Sequence, residues 1–296
     1  MKNKSDKTHD PKGSSLKIPP LLRHNKILSL GLTLLFAIML LSLSGYLFYP
    51  VPTLLGDFMV NQPPSPEHPL GTDNYGKDMV QVLLFGTQLS LYIGFVAGIL
   101  GTIIGTLTGL VAGYKGGIID HMLRSFTDVF IVIPLWPILV FILAVAPGIS
   151  ITGMAVILAV FSWPFTARVI RYQMLTLKER DYVDLAKISG LSQYEILFKE
   201  ILPNMLPYIS VVFVNSILVA MFAEVGLEVI GLGATGANTL GFIFHHAIMN
   251  AAVLKGWWWW IVPGTVAITW IFVALFIVTL GLDEIANPKL KKITGQ

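Results

Sequence analysis

The sequence predicts an all-α membrane protein with six transmembrane helices and with both termini in the cytoplasm. Hydrophobic residues make up 54% of the 296 residues, and charged residues make up only 12%. Soluble domains contain about 25% charged residues, so this chain has too little polar surface to coat a water-soluble particle of its size. The second observation is a set of six long apolar stretches, and the third is the distribution of lysine and arginine along the chain.

Six apolar stretches are each long enough to cross about 30 Å of hydrocarbon as a helix. The first is interpreted as an uncleaved anchor, because its apolar run is too long for a signal peptide and no A-x-A site follows it. The proline-rich segment 50–86, which follows that anchor, cannot form a long helix. The predicted spans are Ile27–Phe48, Leu89–Gly113, Met122–Ala146, Ile151–Tyr172, Pro207–Gly231 and Trp259–Gly281.

Lysine and arginine determine the predicted orientation. With an even number of spans, the two terminal tails and the loops after the second and fourth spans all lie on one side of the membrane. The two tails hold ten of the 20 basic residues, and segments 114–124 and 168–200, which include those loops and the adjoining span ends, hold eight more; only Lys77 and Lys255 lie on the other side. The positive-inside rule therefore predicts that both termini are cytoplasmic.

Several classes of protein are excluded by composition and motif. The chain has no cysteine, which excludes disulfides, thiolate nucleophiles and Cys-ligated metals. Its net charge of +3 gives no indication of nucleic-acid binding. A membrane-embedded enzyme is disfavoured because neither an H-E-x-x-H nor a G-x-S-x-G motif occurs. His245 and His246 are adjacent in the sequence and make a poor metal pair, so no metal site is predicted.

The second predicted span has a stripe of glycines at steps of three and four residues. Such a stripe allows another helix to approach closely, because lipid offers no hydrophobic drive and dispersion contacts must hold the helices together. Packing within the chain is the favoured interpretation, and an interface with another subunit is the alternative. The glycines are Gly94, Gly98, Gly101, Gly105, Gly109 and Gly113.

Four consecutive tryptophans, residues 257–260, stand where the last predicted span begins. Indole rings are enriched at the membrane–water interface, where the ring contacts lipid and the N–H group contacts water. We therefore predict an interfacial aromatic belt here rather than a platform for stacking a ligand.

Residues 173–206 are the most informative part of the chain, because they contain two short amphipathic helices between the fourth and fifth predicted spans. The first helix is predicted at about Tyr182–Ser189, and it ends at Gly190, which suits a left-handed C-cap. The second is predicted to begin at Ser192, which forms a capping box with a glutamate three residues later.

Pro203 is predicted to end the second short helix, and Pro207 is predicted to open the fifth span. The result is an amphipathic helical hairpin held at the cytoplasmic side of the membrane by a helix at each end. Such a hairpin can lie on the lipid surface, or it can dock into a groove on a soluble partner. Physical arguments favour the two roles about equally.

The hairpin resembles the signature loop of binding-protein-dependent ABC importers, in which Glu-Ala-Ala-x-x-x-Gly is followed by Ile-Leu-Pro. This chain has Asp184-Leu185-Ala186-Lys187-Ile188-Ser189-Gly190 and then Ile201-Leu202-Pro203, with Asp in place of Glu and Leu in place of the first Ala. In that family the loop inserts into a cleft on a cytoplasmic ATPase and passes the motion of that ATPase to the pore. The residues that the resemblance assigns to this coupling are Asp184, Ala186, Gly190, Leu191, Ile201 and Pro203.

An ordered set of short motifs over roughly residues 20–290 resembles the C-type permease of dipeptide, oligopeptide and nickel importers. Lys77 stands where that family usually has Arg, Glu228 where a small polar residue is usual, and Leu240-Gly241 where Trp-Gly is usual. The matching motifs are His68-Pro69-Leu70-Gly71-Thr72-Asp73, Gly76-Lys77-Asp78, Gly113-Tyr114-Lys115-Gly116-Gly117 with Asp120, Asp128, Pro134, Ala223-Glu224, Leu232-Gly233, Trp258 and Pro263-Gly264.

The resemblance implies a type I ABC importer permease fold in the cell membrane. It also implies a second homologous permease subunit, two cytoplasmic ABC ATPases, an extracellular solute-binding protein and no nucleic acid. The expected organisation is a cytoplasmic tail at 1–26, the first helix and an extracellular segment at 27–86, a permease core at 87–282 with its coupling loop at 173–206, and a second cytoplasmic tail at 283–296.

This chain is not expected to bind ATP itself. Residues 71–77 fit the first seven positions of a P-loop, but Asp78 stands where a Ser or Thr must bind Mg²⁺, and the preceding stretch is proline-rich. The chain also has no room for a soluble ATPase domain. We therefore expect no cofactor in this chain and expect ATP and Mg²⁺ to be bound by partner ATPase subunits.

Three acidic residues lie within predicted spans, where an ionised group is costly unless it faces a partner or a cavity. Asp128 is predicted to pair with Arg124, one helical turn earlier. Glu224 and Glu228 have no basic neighbour in the sequence. For these two residues, a role in lining the path or contacting another subunit is as well supported as pairing inside the bundle. All three are candidates for the path or for a subunit contact.

The predicted function is therefore half of the translocation path of an ATP-driven importer for oligopeptides or dipeptides. Oligosaccharides and nickel or other metal chelates are alternative solutes for the same architecture. A secondary transporter driven by an ion gradient is the alternative of another class. That alternative would need carboxylates and broken helices in related halves of the chain, a repeat that Asp128 and Glu224 do not form.

Overall fold

The computed structural model describes residues 25–286, except residues 52, 54 and 147. Most of the two predicted cytoplasmic tails lies outside the described residues. The described part is helical, and its only strand pairing is an isolated bridge between Thr72 and Asp78. The helices are α1 Lys26–Leu43, α2 Gly45–Phe48, α3 Met79–Lys115, α4 Gly117–Val132, α5 Leu135–Val145, α6 Ile151–Leu177, α7 Asp181–Ile188, α8 Gln193–Glu195, α9 Leu202–Val229, α10 Leu240–Met249 and α11 Trp258–Ala286, and a π-helical turn at Ile196–Ile201 joins α8 to α9.

Five of these helical segments are long and apolar enough to cross a membrane, and they correspond to five of the six predicted spans. The chain is therefore a multi-pass membrane protein. The segments are Lys26–Phe48, Met79–Lys115, Ile151–Leu177, Gln193–Val229 and Trp258–Ala286.

The predicted third span, Met122–Ala146, is wrong as a single straight helix. Its place is taken by α4 and α5, which are bent by 77° relative to each other. Ile133 and Pro134 between them are extended, with ψ angles of 126° and 113°. The proline ring disfavours a helical conformation for the residue before it, and proline has no N–H to continue the helix. The predicted third span therefore corresponds to this broken pair of helices.

The predicted boundary between the hairpin and the fifth span is also wrong. Pro203 lies in the first turn of α9, and Pro207 lies inside that helix. Proline is tolerated in a first helical turn because its missing N–H has no intrahelical partner there. Within membrane helices, a local π-helical adjustment can accommodate proline, and the π-helical turn Ile196–Ile201 immediately precedes α9. Residues Gln193–Val229 consequently form one continuous helical segment.

The glycine stripe of α3 packs inside the chain, as the favoured interpretation predicts. A Cβ atom at Gly105 would lie 2.6 Å from the carbonyl oxygen of Trp163, and one at Gly109 would lie 2.6 Å from that of Ala167. The backbones of α3 and α6 therefore touch at these positions. Closer to the start of α3, Gly98 packs against Ile217 of α9. The central layer of the fold is accordingly α6, α3 and α9.

The helix α1 packs against the opposite end of the chain, on α11. The side chain of Asn25 caps α1 by accepting a hydrogen bond from the Leu28 N–H. Its amide group also donates to the carbonyl oxygen of Gly281, over 2.9 Å. Gly281 has no Cβ, which allows the backbone of Leu28 to pack against it. The predicted anchor is thus a bound part of the bundle.

Only part of the tryptophan cluster is available for the interfacial belt that its sequence predicts. Trp258 is 53% exposed, but Trp259 and Trp260 are only 7% and 1% exposed. The Trp260 indole N–H donates to the carbonyl oxygen of Thr72, over 3.1 Å. Two of the four rings therefore pack the segment before α3 onto the start of α11, a contact between residues far apart in sequence.

The segment before α3 is a compact turn, not a phosphate-binding loop. The Asp73 carboxylate accepts hydrogen bonds from the backbone N–H groups of Tyr75 and Lys77. Burial lowers the pKa of the Lys77 ammonium group, which donates to the Asn238 side chain over 3.4 Å. Asp78 caps α3 by accepting from the Val80 N–H, so α3 begins at Met79 rather than near Leu89.

Candidate functional site

The hairpin forms as its sequence predicts, with α7 and α8 joined by a tight turn. Gly190 has φ +80°, a left-handed conformation that costs glycine little. The Gly190 N–H donates to the Lys187 carbonyl and the Leu191 N–H donates to the Ala186 carbonyl, the two bonds of a Schellman motif. Ser192 and Glu195 form the predicted capping box. These local bonds define the hairpin geometry independently of any partner.

One face of the hairpin is buried against the bundle. Val183, Ala186 and Ile196 are at most 7% exposed, and Ile201 is fully buried. These side chains form one apolar cluster with residues of α6 and α9, including Met174. The hairpin is therefore seated on the ends of two long helices, and it cannot move without them.

The opposite face of the hairpin presents large apolar side chains to solvent. Leu185, Ile188, Tyr194 and Phe198 are between 60% and 83% exposed. Exposed apolar groups clustered on one small element mark a surface for a protein or for lipid. We call this set of four residues the hairpin contact face.

The predicted coupling residues divide between the two faces. Ala186 and Ile201 are buried, so they seat the hairpin on the bundle. Asp184, Gly190 and Pro203 are exposed, and Leu191 is half-buried. The four residues of the contact face were not among the predicted site residues. The sequence does indicate such a surface, because residues 182–198 contain more apolar side chains than one helix face can bury.

A cavity of about 420 Å³ lies where α4 breaks from α5. Its wall is mostly apolar, with a few polar groups from α6 and α9. The Ser216 hydroxyl lies 3.2 Å from that of Thr166, which holds α9 and α6 together beside the cavity. The lining residues are Phe130, Ile131, Val132, Ile133, Pro134, Leu135, Phe161, Ser162, Pro164, Phe165, Asn215, Ser216 and Val219.

Asp128 lines a second, charged cavity of about 220 Å³ nearer the hairpin. The predicted contact with Arg124 is present, with 3.6 Å between Arg124 Nε and Asp128 Oδ2. A closer partner is Arg168 of α6, whose Nη2 lies 2.5 Å from Asp128 Oδ1. Arg168 is 40 residues away in sequence, so only the packing of α4 beside α6 identifies it. Asp128 is consequently an internal ion-pair partner at a cavity wall.

A second ion pair fastens α4 to α6 in the same region. The Arg171 guanidinium donates to both carboxylate oxygens of Asp120. Its Nη2 donates to Oδ2 over 2.5 Å, and its Nε donates to Oδ1. The two side chains are only 13% and 18% exposed. A two-pronged Arg–carboxylate pair with little solvent is among the stronger polar contacts in proteins.

We expect Asp120→Asn to destabilise the chain by about 3 kcal/mol, because it leaves the poorly solvated Arg171 without a counter-charge. The matched control is Asp184→Asn, which removes an exposed pair with Lys187 (57% and 61% exposed side chains) and should cost less than about 1 kcal/mol. Thermal unfolding of the purified chain in detergent measures both. Equal decreases in Tm for the two variants would contradict a special contribution from the Asp120–Arg171 pair.

Glu224 and Glu228 are buried in α9, at 0% and 2% exposure. Neither lines the two cavities described above. Ser90 Oγ donates to Glu224 Oε1 over 3.1 Å, and the Phe242 N–H donates to Glu228 Oε2 over 3.1 Å. The ion pairs found among the described residues do not include either glutamate. Their contacts join α9 to α3 and to the start of α10.

Comparison with known proteins adds a family assignment to this geometry. The sequence model of the family described as "Binding-protein-dependent transport system inner membrane component" matches residues 105–292. This stretch includes the hairpin, both cavities and the buried glutamates.

Three similar relatives are permease proteins. The oligopeptide transport system permease OppC of Lactococcus lactis subsp. cremoris (strain SK11) is 29% identical over 228 residues, covering 75% of this chain and 76% of its own. The dipeptide transport system permease DppC of Bacillus subtilis (strain 168) is 30% identical and covers 92% and 84%. A putative peptide transport system permease of Brucella abortus biovar 1 (strain 9-941) is 31% identical and covers 92% and 90%.

Among solved structures, an inward-facing form of the MetNI methionine ABC transporter is similar in fold. The TM-score is 0.55, and the alignment covers 71% of this chain and 97% of that chain. The sequences are 18% identical, so this likeness concerns the fold alone.

Proposed function

The chain belongs to the family of binding-protein-dependent transport system inner membrane components, and on that premise we propose that it is one permease subunit of an ABC importer for oligopeptides or dipeptides. The observation on which this proposal mainly depends is the hairpin contact face, four exposed apolar side chains on an element seated against α6 and α9. Peptides are proposed as the solute because the similar relatives are permeases of peptide, oligopeptide and dipeptide systems.

We propose that the hairpin lies in the cytoplasm, where it docks into a groove on an ABC ATPase. This orientation agrees with the concentration of lysine and arginine in the two tails and in the loops on the hairpin side. A second, homologous permease would supply the other half of the path, and a solute-binding protein would deliver peptide on the opposite side. ATP and Mg²⁺ would be bound by the two ATPase subunits.

The continuous helical segment Gln193–Val229 suggests how motion passes from the ATPase to the path. Tyr194 and Phe198 of the contact face stand at its beginning, and Asn215 and Val219 of the cavity wall lie farther along the same segment. A displacement of the hairpin therefore moves the cavity wall as part of one rigid element. Alternating access by rocking of such rigid parts is the expected mechanism.

We propose that the cavity at the break between α4 and α5 is this subunit's part of the path. A broken helix supplies non-helical backbone within the membrane, which is tolerated where it lines a cavity or is buried in protein. A cavity of about 420 Å³ in one subunit would form, with its counterpart in a second permease, a space of the size that small ligands occupy. None of the described residues that line it is charged, so the cavity suits peptides with varied side chains.

Filling this cavity is expected to stop transport without disturbing assembly. In Val219→Trp a large ring replaces a side chain on the cavity wall, whereas Val273→Trp places the same ring on α11, away from the cavity; the two valines are 44% and 45% exposed. In proteoliposomes containing the complex copurified with this chain, ATP-dependent uptake of a labelled peptide mixture should fall to background only for Val219→Trp. Uptake that survives ATP removal but fails when the ion gradient is dissipated would instead support a secondary transporter.

A further inference from the structure

The buried carboxyl groups of Glu224 and Glu228 form an unusual arrangement. The two residues are one helical turn apart on α9, which places their side chains next to each other on one face of the helix. Each has one oxygen with a donor, from Ser90 and from the Phe242 N–H. The remaining oxygens, Glu224 Oε2 and Glu228 Oε1, are buried and accept no hydrogen bond from the described residues.

Two neighbouring carboxyl groups can hydrogen-bond to each other only if one of them carries a proton, because ionised carboxylates are acceptors only. Two negative charges side by side in a buried site also repel strongly, and one shared proton removes that repulsion. The single remaining charge has a favourable position, since Glu228 accepts from an N–H in the first turn of α10.

The backbone packs closely against the Glu228 carboxyl group. A Cβ added at Gly233 would lie 2.9 Å from Glu228 Oε1, and one added at Gly241 would lie 2.8 Å from Glu228 Oε2. The backbone of the α9–α10 loop, residues 230–239, and the first turn of α10 therefore lie directly against the Glu228 side chain.

We propose that Glu224 and Glu228 bind one proton between them, and that this shared proton fastens the α9–α10 loop to α9 and α3. The same network continues into α3, because Ser90 Oγ donates to Glu224 and accepts from the Leu240 N–H over 3.1 Å. Release of the proton leaves two charges that must separate or reach water, and the loop must move for either to happen.

The effect of pH follows from proton linkage. The closed loop holds one proton that the open loop loses, because exposed glutamic acids are ionised above about pH 4.3. Raising the pH therefore favours opening, by about tenfold for each pH unit while the closed pair still holds its proton. The stabilisation of the closed loop is present at low pH and is lost as the pH rises.

Other titratable groups near the pair are the two histidines of α10 and Lys77. His245 Nδ1 lies 3.1 Å from the Val229 carbonyl oxygen at the end of α9. Burial, with His245 and Lys77 nearby, lowers the pKa of His246 to about 4, which leaves it neutral in the neutral range. Lys77 donates to Asn238 in the same loop.

Single cysteines test the proposal, because the chain contains none. Ala237 in the loop is 2% exposed, so Ala237→Cys should react with a maleimide only when the loop opens. Thr235→Cys, on the exposed part of the same loop, corrects for the ordinary pH dependence of thiol reactivity. In the purified full-length chain in nanodiscs, the ratio of the two rates should rise by about tenfold per pH unit.

Adding Glu228→Gln should abolish that pH dependence, since an amide N–H can replace the shared proton in every condition. Adding His245→Gln should leave it intact. An infrared difference spectrum between the parent and the Glu224→Gln/Glu228→Gln variant should show a protonated carboxyl band at neutral pH. The proposal is overturned if the rate ratio is independent of pH, if Glu228→Gln leaves its slope unchanged, or if that band is absent. None of these outcomes depends on which solute the chain transports.

Discussion

Replacing Ile188 by Asp is expected to prevent ATPase subunits from copurifying with this chain, while the chain itself stays folded. Ile188 is 83% exposed, so the substitution removes almost no burial from the isolated subunit. In a docked complex the new carboxylate would lose its water without gaining a partner, which is costly. Central contact residues of this kind typically contribute at least 2 kcal/mol, so binding should weaken by about thirtyfold or more.

The measurement is affinity purification of the chain from its native membrane, followed by mass spectrometry of the proteins that accompany it. Ile118→Asp is the matched control, because Ile118 is 79% exposed and lies at the start of α4, outside the hairpin. Ile118→Asp should retain the ATPases fully. The milder variant Ile188→Ala should retain them to a reduced extent. If Ile188→Asp retains them fully, the hairpin lies on lipid and the docking proposal is wrong.

A single added side chain in the α3–α6 contact is expected to have the largest effect on folding. In Gly105→Val, the new Cβ would stand 2.6 Å from the Trp163 carbonyl oxygen and 2.6 Å from Thr166 Cβ. The first of these atoms belongs to the backbone and cannot rotate away, so α3 and α6 must separate. Forcing extra atoms into a packed contact costs about 3 kcal/mol at the upper end of the usual range.

Size-exclusion chromatography of the detergent-solubilised chain should therefore show a much smaller monodisperse fraction for Gly105→Val, with a lower Tm for what remains. Leu107→Val on the same helix is the control, since Leu107 is 60% exposed and the substitution leaves the helix contact untouched. If the two variants behave alike, the stripe does not hold the bundle together and the subunit-interface alternative regains support.

The sequence alone predicted features that depend on neighbouring residues. Turn and cap chemistry is local, so Gly190 and the Ser192–Glu195 capping box were placed correctly. Apolar length is likewise a local property, and five predicted spans correspond to long helices. The family membership was also predicted, because it depends on short motifs in a specific order.

Features that require partners from distant parts of the chain were not predictable. Asp128 pairs more closely with Arg168 than with Arg124, and Trp260 donates to Thr72 instead of facing the headgroups. Each of these partners depends on which helices lie side by side. The periodicity of a sequence shows which face of a helix is apolar, but it does not show which helix packs against that face.

Three prolines illustrate the difference between what the sequence predicts and what the tertiary structure decides: Pro134 in the third predicted span, and Pro203 and Pro207 in α9. By itself, the sequence determined the five long membrane helices, the place where the hairpin turns and the family to which the chain belongs. Only the tertiary structure decided that Pro134 breaks its span by 77° whereas Pro203 and Pro207 continue theirs. The physical reason is that a proline inside a helix lacks the N–H for one hydrogen bond, and the packing of the surrounding helices determines whether the chain bends there, as at Pro134, or accommodates the loss, as at Pro207.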